Sequence, residues 1–452
     1  MLVSYLTTLR TFRRNVWLYF LAMSLVGFTI DGGIYAVVFN LFLLRLGYGP
    51  EFIGQVNSAG LFAFALCSLP AGALGGRLGN RRAMIAGLCL MMTASFALAL
   101  AEFIPTQSRS LWLLCAYILF HSSIAIYFVN TAPFLMAVTT EAQQSHAFSI
   151  QSAMISSAAF VGSMVGGLLP ALFAHNLGLT LQEATPYRYP LLLAAGTLTL
   201  GITALALIKE AHPPSSPPDP ARQPQPRRTY PTLFRVPRFG QLNWRKFLAT
   251  NADRTFIILI IVISLVRLFQ IAGMAVLSTF FNVYMDAGLG APTAQLGLIT
   301  GLGRLLAVPI VLTMPMLAAR WGHRNLVIWA STSAVFFLLP VALIPHWSAA
   351  GLGYMGVMAG SSIRYTSFLI YIMAMIKPEQ RSFMSGINEM TAGLSFAAMA
   401  FGGGYIIVHQ GYSTLFLIGA GATLFGSLLF WAYFRPTAKA VVAPATLKVS
   451  AD

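Results

Sequence analysis

Long apolar runs separated by short polar punctuation fill this chain. A helix needs about 20 residues to cross about 30 Å of hydrocarbon at a rise of 1.5 Å per residue, and twelve runs meet that length. They fall near 16–46, 52–75, 83–104, 110–138, 144–174, 188–208, 255–287, 293–318, 325–345, 348–376, 382–409 and 412–435. Ahead of the first run, Met1 to Asn15 carries Arg10, Arg13 and Arg14. A signal peptide has similar charges, but its apolar core is only about 7 to 15 residues, so this run predicts a retained first helix. One long polar stretch, Lys209 to Arg254, is dense in Pro and Arg and cannot bury enough apolar surface to offset its ordering entropy. The pattern therefore predicts an all-α integral membrane protein: a six-helix bundle over 1–208, a linker over 209–254, a second six-helix bundle over 255–435 and a tail over 436–452.

Composition agrees with the pattern. Hydrophobic residues make up 57% of the 452 and charged residues 9%, against about 25% charged in an average soluble domain; mean hydropathy is +0.74. The formal charge of +16 does not mark a nucleic-acid surface, because the Lys and Arg sit at the ends of apolar runs instead of clustering on one face. Of the 28 Lys and Arg, 22 fall in the termini and the even-to-odd connections, which predicts that both termini are cytoplasmic, in a plasma (inner) membrane. The Arg-rich end of the linker suits anionic headgroups at that face, with a partner site as the alternative. Cys67, Cys89 and Cys115 lie inside apolar runs without metal-type spacing and read as packing residues.

The two bundles are copies. Arg77, Gly79 and Arg81 are matched by Arg320, Gly322 and Arg324 at one offset of 243. Phe39-Asn40 is echoed by Phe281-Asn282 at 242, Gly54 by Gly297 at 243, and Gln144 and Ser149 by Gln380 and Ser385 at 236. Parallel duplication of six helices places a site near the midplane between the halves and implies alternating access by rocking one half against the other.

With these loops the chain resembles the major facilitator superfamily over nearly its whole length. In the family's loop between the second and third helices, Gly72, Arg77, Gly79 and Arg81 match, Gly76 stands in the place of the family's Asp, Asn80 takes the first place of the closing basic pair, and Arg82 follows. In the second copy Ala319 occupies the Asp position. The resemblance implies an inner gate held by the loop arginines, with Gly79 for a tight turn and Gly72 for close packing; Glu141 and Glu379 are the acids that substitute for the missing Asp. Gly162 to Gly167 resembles the glycine-rich pattern of antiporters, with Ser163 in place of its proline. Small residues at that spacing also serve simply to let helices approach.

Charges inside apolar runs cost several kcal/mol unless paired or wet, and five are present: Asp31, Arg267, Arg304, Arg364 and Glu389. Counted inward from the helix ends, Asp31, Arg267 and Arg364 lie about 18 to 23 Å deep. The resemblance places the first, fourth, seventh and tenth helices around the central cavity. Helical spacing puts Tyr35 with Asp31, Gln270 with Arg267, Tyr371 with Arg364, and His121 with Tyr117 and Phe128 on the fourth run. Asp31 reads either as a proton-coupling carboxylate or as a cap or fixed ion-pair partner at the Gly32-Gly33 turn. His121 reads as a packing residue or a proton carrier. Glu389 reads as the partner of Arg364 in a structural pair, and Arg304 as a gate or a substrate contact.

No HExxH, GxSxG or paired intramembrane aspartates point to an enzyme, and no GxxxxGK[ST] loop points to a primary pump. The expectation is a monomeric, proton-coupled secondary transporter of a small organic solute, without cofactor or metal, favoured as an exporter or antiporter. A symporter and a lipid or lysolipid transporter of the same superfamily are the alternatives. Buried arginines lean toward an anionic or zwitterionic solute, while the aromatic walls suit an amphiphile equally.

Overall fold

The structure, a computed structural model, describes residues 12–30, 32–139, 141–208, 254–376 and 381–434. Asp31, Glu379, the linker and both tails lie outside the described residues, as does the side chain of Glu141.

Among the described residues, twelve helical spans follow one another. The first is broken into Arg14–Thr29 and Ile34–Arg45. The second to sixth are Pro50–Leu78, Asn80–Ala99, Thr106–Val138, Glu141–Leu177 and Thr185–Ala206. The seventh is again broken, into Arg254–Gln270 and Ala272–Val283. Helix Thr293–Leu343 holds the eighth and ninth spans, which meet at Gly322, and Trp347–Met375 is the tenth. Helix Arg381–Tyr433 holds the eleventh and twelfth, which meet at Gly411. The tenth span is not among the helices apolar enough to cross a membrane by composition alone, because Gly, Ser and Arg364 dilute its hydrophobic residues. The second span bends by 49° between Ser68 and Pro70, where the proline ring removes a backbone donor.

The breaks have local causes. Gly32 has φ +85, a left-handed conformation that a side chain would strain, and its carbonyl accepts from Ser163 Oγ on the fifth span. Gly79 and Gly322, the repeated loop glycines, turn the chain with φ +87 and +75. The sequence predicts a tight turn at Gly79, and the backbone makes it there and again at its repeat, Gly322.

The halves meet along two pseudo-equivalent seams, the second span against the eleventh and the fifth against the eighth. A Cβ on Gly54 would lie 2.3 Å from Ala400 O, and one on Gly297 would lie 2.4 Å from Ser163 O. Ala400 and Ser163 themselves stand 237 residues apart, as do Gly404 and Gly167, so duplicated small residues build both crossings. Glycine is needed there because the backbones touch.

Candidate functional site

Among the described residues, the side-chain hydrogen bonds and the ion pair that join the halves gather at one end, away from the basic loops. Asn40 Nδ2 donates to Thr279 O at 2.8 Å, and Asn282 Nδ2 donates to Ala36 O. These are the repeated asparagines of the first and seventh spans, so each half reaches into the backbone of the other. Beyond them Arg45 Nη2 meets Asp286 Oδ1 at 2.7 Å, with both side chains almost wholly shielded, and Arg45 Nε donates to Leu181 O at 2.7 Å. Gln55 Nε2 donates to Tyr405 OH at 2.8 Å. This end is shut.

Immediately inside the clasp lies a cavity of about 410 Å³, lined by Tyr35, Phe39, Asn40, Asn57, Tyr117, His121 and neighbours. Residues three, four and seven apart share a helix face, which brings Tyr117, Phe120, His121, Ile124 and Phe128 of the fourth span to the wall together. Phe39 stacks on Tyr117 at 4.6 Å and 6°, Tyr35 on Phe120 at 5.0 Å and 27°. A Cβ on Gly60 would fall 2.6 Å from the Tyr117 ring and 2.7 Å from His121 Nδ1, so the missing side chain leaves room for both rings. Among the described residues, the buried His121 Nδ1 meets no hydrogen-bond partner.

A continuous polar line leads from this wall to the clasp. Tyr117 OH donates to Asn57 Oδ1 at 3.1 Å, Asn57 Nδ2 to Asn40 Oδ1 at 3.0 Å, and Asn40 Nδ2 to Thr279 O. The arrangement can hold a ring against stacked aromatics and feel its polar edge through amides, and it ties that contact to the joint between halves.

The Major Facilitator Superfamily profile matches residues 16–364. The chain belongs to the major facilitator superfamily. Its fold is similar to that of the crystal structure of the nucleoside transporter NupG, at 13% identity over 93% of this chain and 99% of that one, with a TM-score of 0.68. It is equally similar to that of the D-xylose-proton symporter, at 13% identity over 95% and 98%, with a TM-score of 0.69. No curated protein matches the sequence. As a member of the superfamily the chain is a multi-pass secondary transporter for a small-molecule substrate and not an enzyme.

The predicted residues scatter over this superfamily fold in instructive ways. Tyr35 and His121 line the cavity. Arg304, on the eighth span, crosses to the first-span break, where a Cβ on Gly32 would lie 2.5 Å from its Nε. Arg267, Gln270 and Arg364 are buried together in the second half, while Tyr371 packs on Phe430 and Phe434 of the twelfth span. Arg364 and Glu389 do not pair: Glu389 is exposed and accepts from Tyr365 OH at 3.0 Å and Asn388 Nδ2 at 2.9 Å. Arg364 instead donates to Gln270 O, the carbonyl released where the seventh span breaks, and to Ser361 Oγ at 3.2 Å.

Two of the loop arginines, Arg81 and Arg324, each bond the end of a span in their own half. Arg81 donates to Leu205 O at 2.9 Å and to Ala206 O at 2.6 Å, closing the end of the sixth span. Arg324 does the same at the end of the twelfth, donating to Phe434 O and to Trp431 O at 3.1 Å. A cation at a helix C-terminus meets orphan carbonyls and the negative end of the dipole. Arg77, Arg82 and Arg320 are exposed, Arg320 over the Trp321 ring. A Cβ on Gly72 would meet Val129 at an ordinary 3.6 Å; the close approach falls at Gly75, where a Cβ would collide with Asn130.

Sequence reasoning passed over Asn57 and Asp286 and met Ser163 only as the replacement of a proline in the glycine-rich pattern. Asn57 is an amide in an apolar run, a detectable signal, but Ser163 and Asp286 gain their partners only through contacts between spans far apart in sequence.

Proposed function

We propose that this protein is a proton-coupled transporter of a small organic solute, with the solute held in the aromatic and amide cavity of the first half and Asp31 carrying the proton. The observation that supports this most is the hydrogen-bonded line from Tyr117 through Asn57 and Asn40 to Thr279. A solute that engages Tyr117 or Asn57 competes for groups that hold the shut end together, so occupancy and opening share the same hydrogen bonds. Asp31 follows Ile30 of the cavity wall in sequence. A carboxylate that alternates between a wet cavity and a sequestered position takes and releases a proton once per cycle.

Antiport remains the favoured direction on the Gly162 to Gly167 pattern, although those glycines also make helix crossings: Gly162 against Phe28 and Gly167 against Gly297. Both termini and the basic loops are read as cytoplasmic, in the plasma (inner) membrane, which makes the shut end the outer one; the working unit is read as a monomer.

Proteoliposomes with an imposed pH gradient test the reading. Asp31→Asn keeps the size and removes the charge, so gradient-driven transport vanishes while gradient-free exchange of solute persists. An unchanged pH dependence in Asp31→Asn would move the coupling to His121 or Glu389. The sign of the gradient that drives uptake separates antiport from symport.

A further inference from the structure

The second half holds a cluster of charge that the cavity of the first half does not use. Arg267 and Arg364, on the seventh and tenth spans, are only 3% and 2% exposed. Their charges act on one another. Arg267 lies over two rings, with its guanidinium carbon 5.4 Å from the Tyr365 centroid and 5.2 Å from that of Phe368. Among the described residues it donates no hydrogen bond, and its Nε is buried without an acceptor. Arg364 leaves its own Nε in the same condition, and Gln270, fully buried one turn after Arg267, leaves both its Nε2 and its Oε1 unpartnered.

A guanidinium carries five N–H donors, and an ion taken out of water without a partner costs several kcal/mol. Burial of two such ions side by side, with their Nε–H groups and the Gln270 Nε2 donors unanswered, calls for a negatively charged acceptor. Glu389 is within electrostatic reach of Arg267, but its carboxylate is engaged by Tyr365 and Asn388, and one carboxylate leaves one positive charge in excess. Planar guanidinium forks match carboxylate and phosphate oxygens. We propose that Arg267, Arg364 and the Gln270 side chain form an oxyanion site in the second half, taking a carboxylate or phosphate group from a free solute or from a lipid headgroup. Arg364 is anchored through Gln270 O and Ser361, so Arg267 and the Gln270 amide are the members that bind.

This goes beyond the transport reading and is measured without transport. The purified full chain in an uncharged detergent is titrated with phosphate and with succinate at constant ionic strength, and in parallel with phosphatidylglycerol against phosphatidylcholine, following thermal unfolding. A rise in Tm with the free oxyanions assigns a solute source, and a rise with phosphatidylglycerol alone assigns a lipid source; either supports the site. Arg267→Gln abolishes the response, and Gln270→Leu weakens apparent affinity by roughly tenfold, the loss of one charged hydrogen bond. Arg109→Gln, which removes an arginine elsewhere, keeps the response. Should Arg267→Gln fail to fold, Gln270→Leu decides alone. The site is overturned if no oxyanion or anionic lipid raises Tm, or if Gln270→Leu responds as the parent does.

Discussion

The two halves share one ancestral pattern, yet the polar line to the clasp exists in only one of them. Phe39 stacks on Tyr117 in the first half, and Phe281 stacks on Tyr354 at 4.3 Å in the second. Asn40 and Asn282 clasp opposite backbones. The copies part at the next residue out: Asn57 completes Asn40, whereas its counterpart at the 243 offset, Thr300, turns its hydroxyl to Leu296 O and Gly297 O of its own helix. Asn282 Oδ1 is left buried and unpartnered. The joint stands in both copies of the scaffold, while the amide-and-ring cavity lies in the first half and the buried arginines in the second. Joint and ligand chemistry are therefore separable.

The comparison is most exposed to failure at Asn57. Asn57→Leu strands Asn40 Oδ1 and frees Tyr117 OH, and an unsatisfied buried group costs about 1–3 kcal/mol; Thr300→Val, which loses only a bond to its own helix, costs less than about 1.5 kcal/mol. Thermal unfolding in detergent checks the difference, and equal losses would erase the asymmetry between halves.

A smaller effect belongs to the Arg45–Asp286 pair, which has no copy: the corresponding positions are Ala287 and Leu44. Each of Arg45→Met and Asp286→Asn shifts the population toward an open clasp end, read as longer spin-label distances across it. The coupling in a double-mutant cycle is about 1 kcal/mol for this pair, the top of the range for pairs that water still reaches, since each side chain keeps 11–12% of its surface. Additive effects would show that the pair does not latch the end.

Smallest, and equal in the two halves, are the effects of Arg81→Ala and Arg324→Ala. Each frees the last turn of one span, at about 1 kcal/mol or less for a cation at a helix C-terminus. Hydrogen exchange speeds at Leu205–Ile208 in the first variant and at Trp431–Phe434 in the second; turnover slows while solute affinity stays within a few-fold. A large loss of affinity would mean that the loops reach the site.

The spans, the duplication and the turn glycines were legible because they obey local rules: about 20 apolar residues, a period of 3.6, and a positive φ that only glycine takes freely. The faces of the fourth span were legible for the same reason, so Tyr117 and His121 were found together. Glu389 was misplaced because depth along a helix says nothing of azimuth: it comes near Tyr365 and Asn388, and the carbonyl that Arg364 needed was exposed by the backbone break in the seventh span, three spans earlier in the chain. Tyr371 shares a face with Arg364, but the twelfth span covers it.

By itself the sequence determined that this is a duplicated twelve-span membrane transporter, since lipid admits only helices whose backbone groups are satisfied internally, and that signal needs no knowledge of neighbours. Only the tertiary structure decided which end is shut, that the repeated asparagines are its clasp, and that the deep charges divide between a first-span break that Ser163 bonds and Arg304 approaches and an arginine cluster in the second half. Those outcomes depend on which helix faces cross, and the free energy of a buried polar group is set by the partner it meets there.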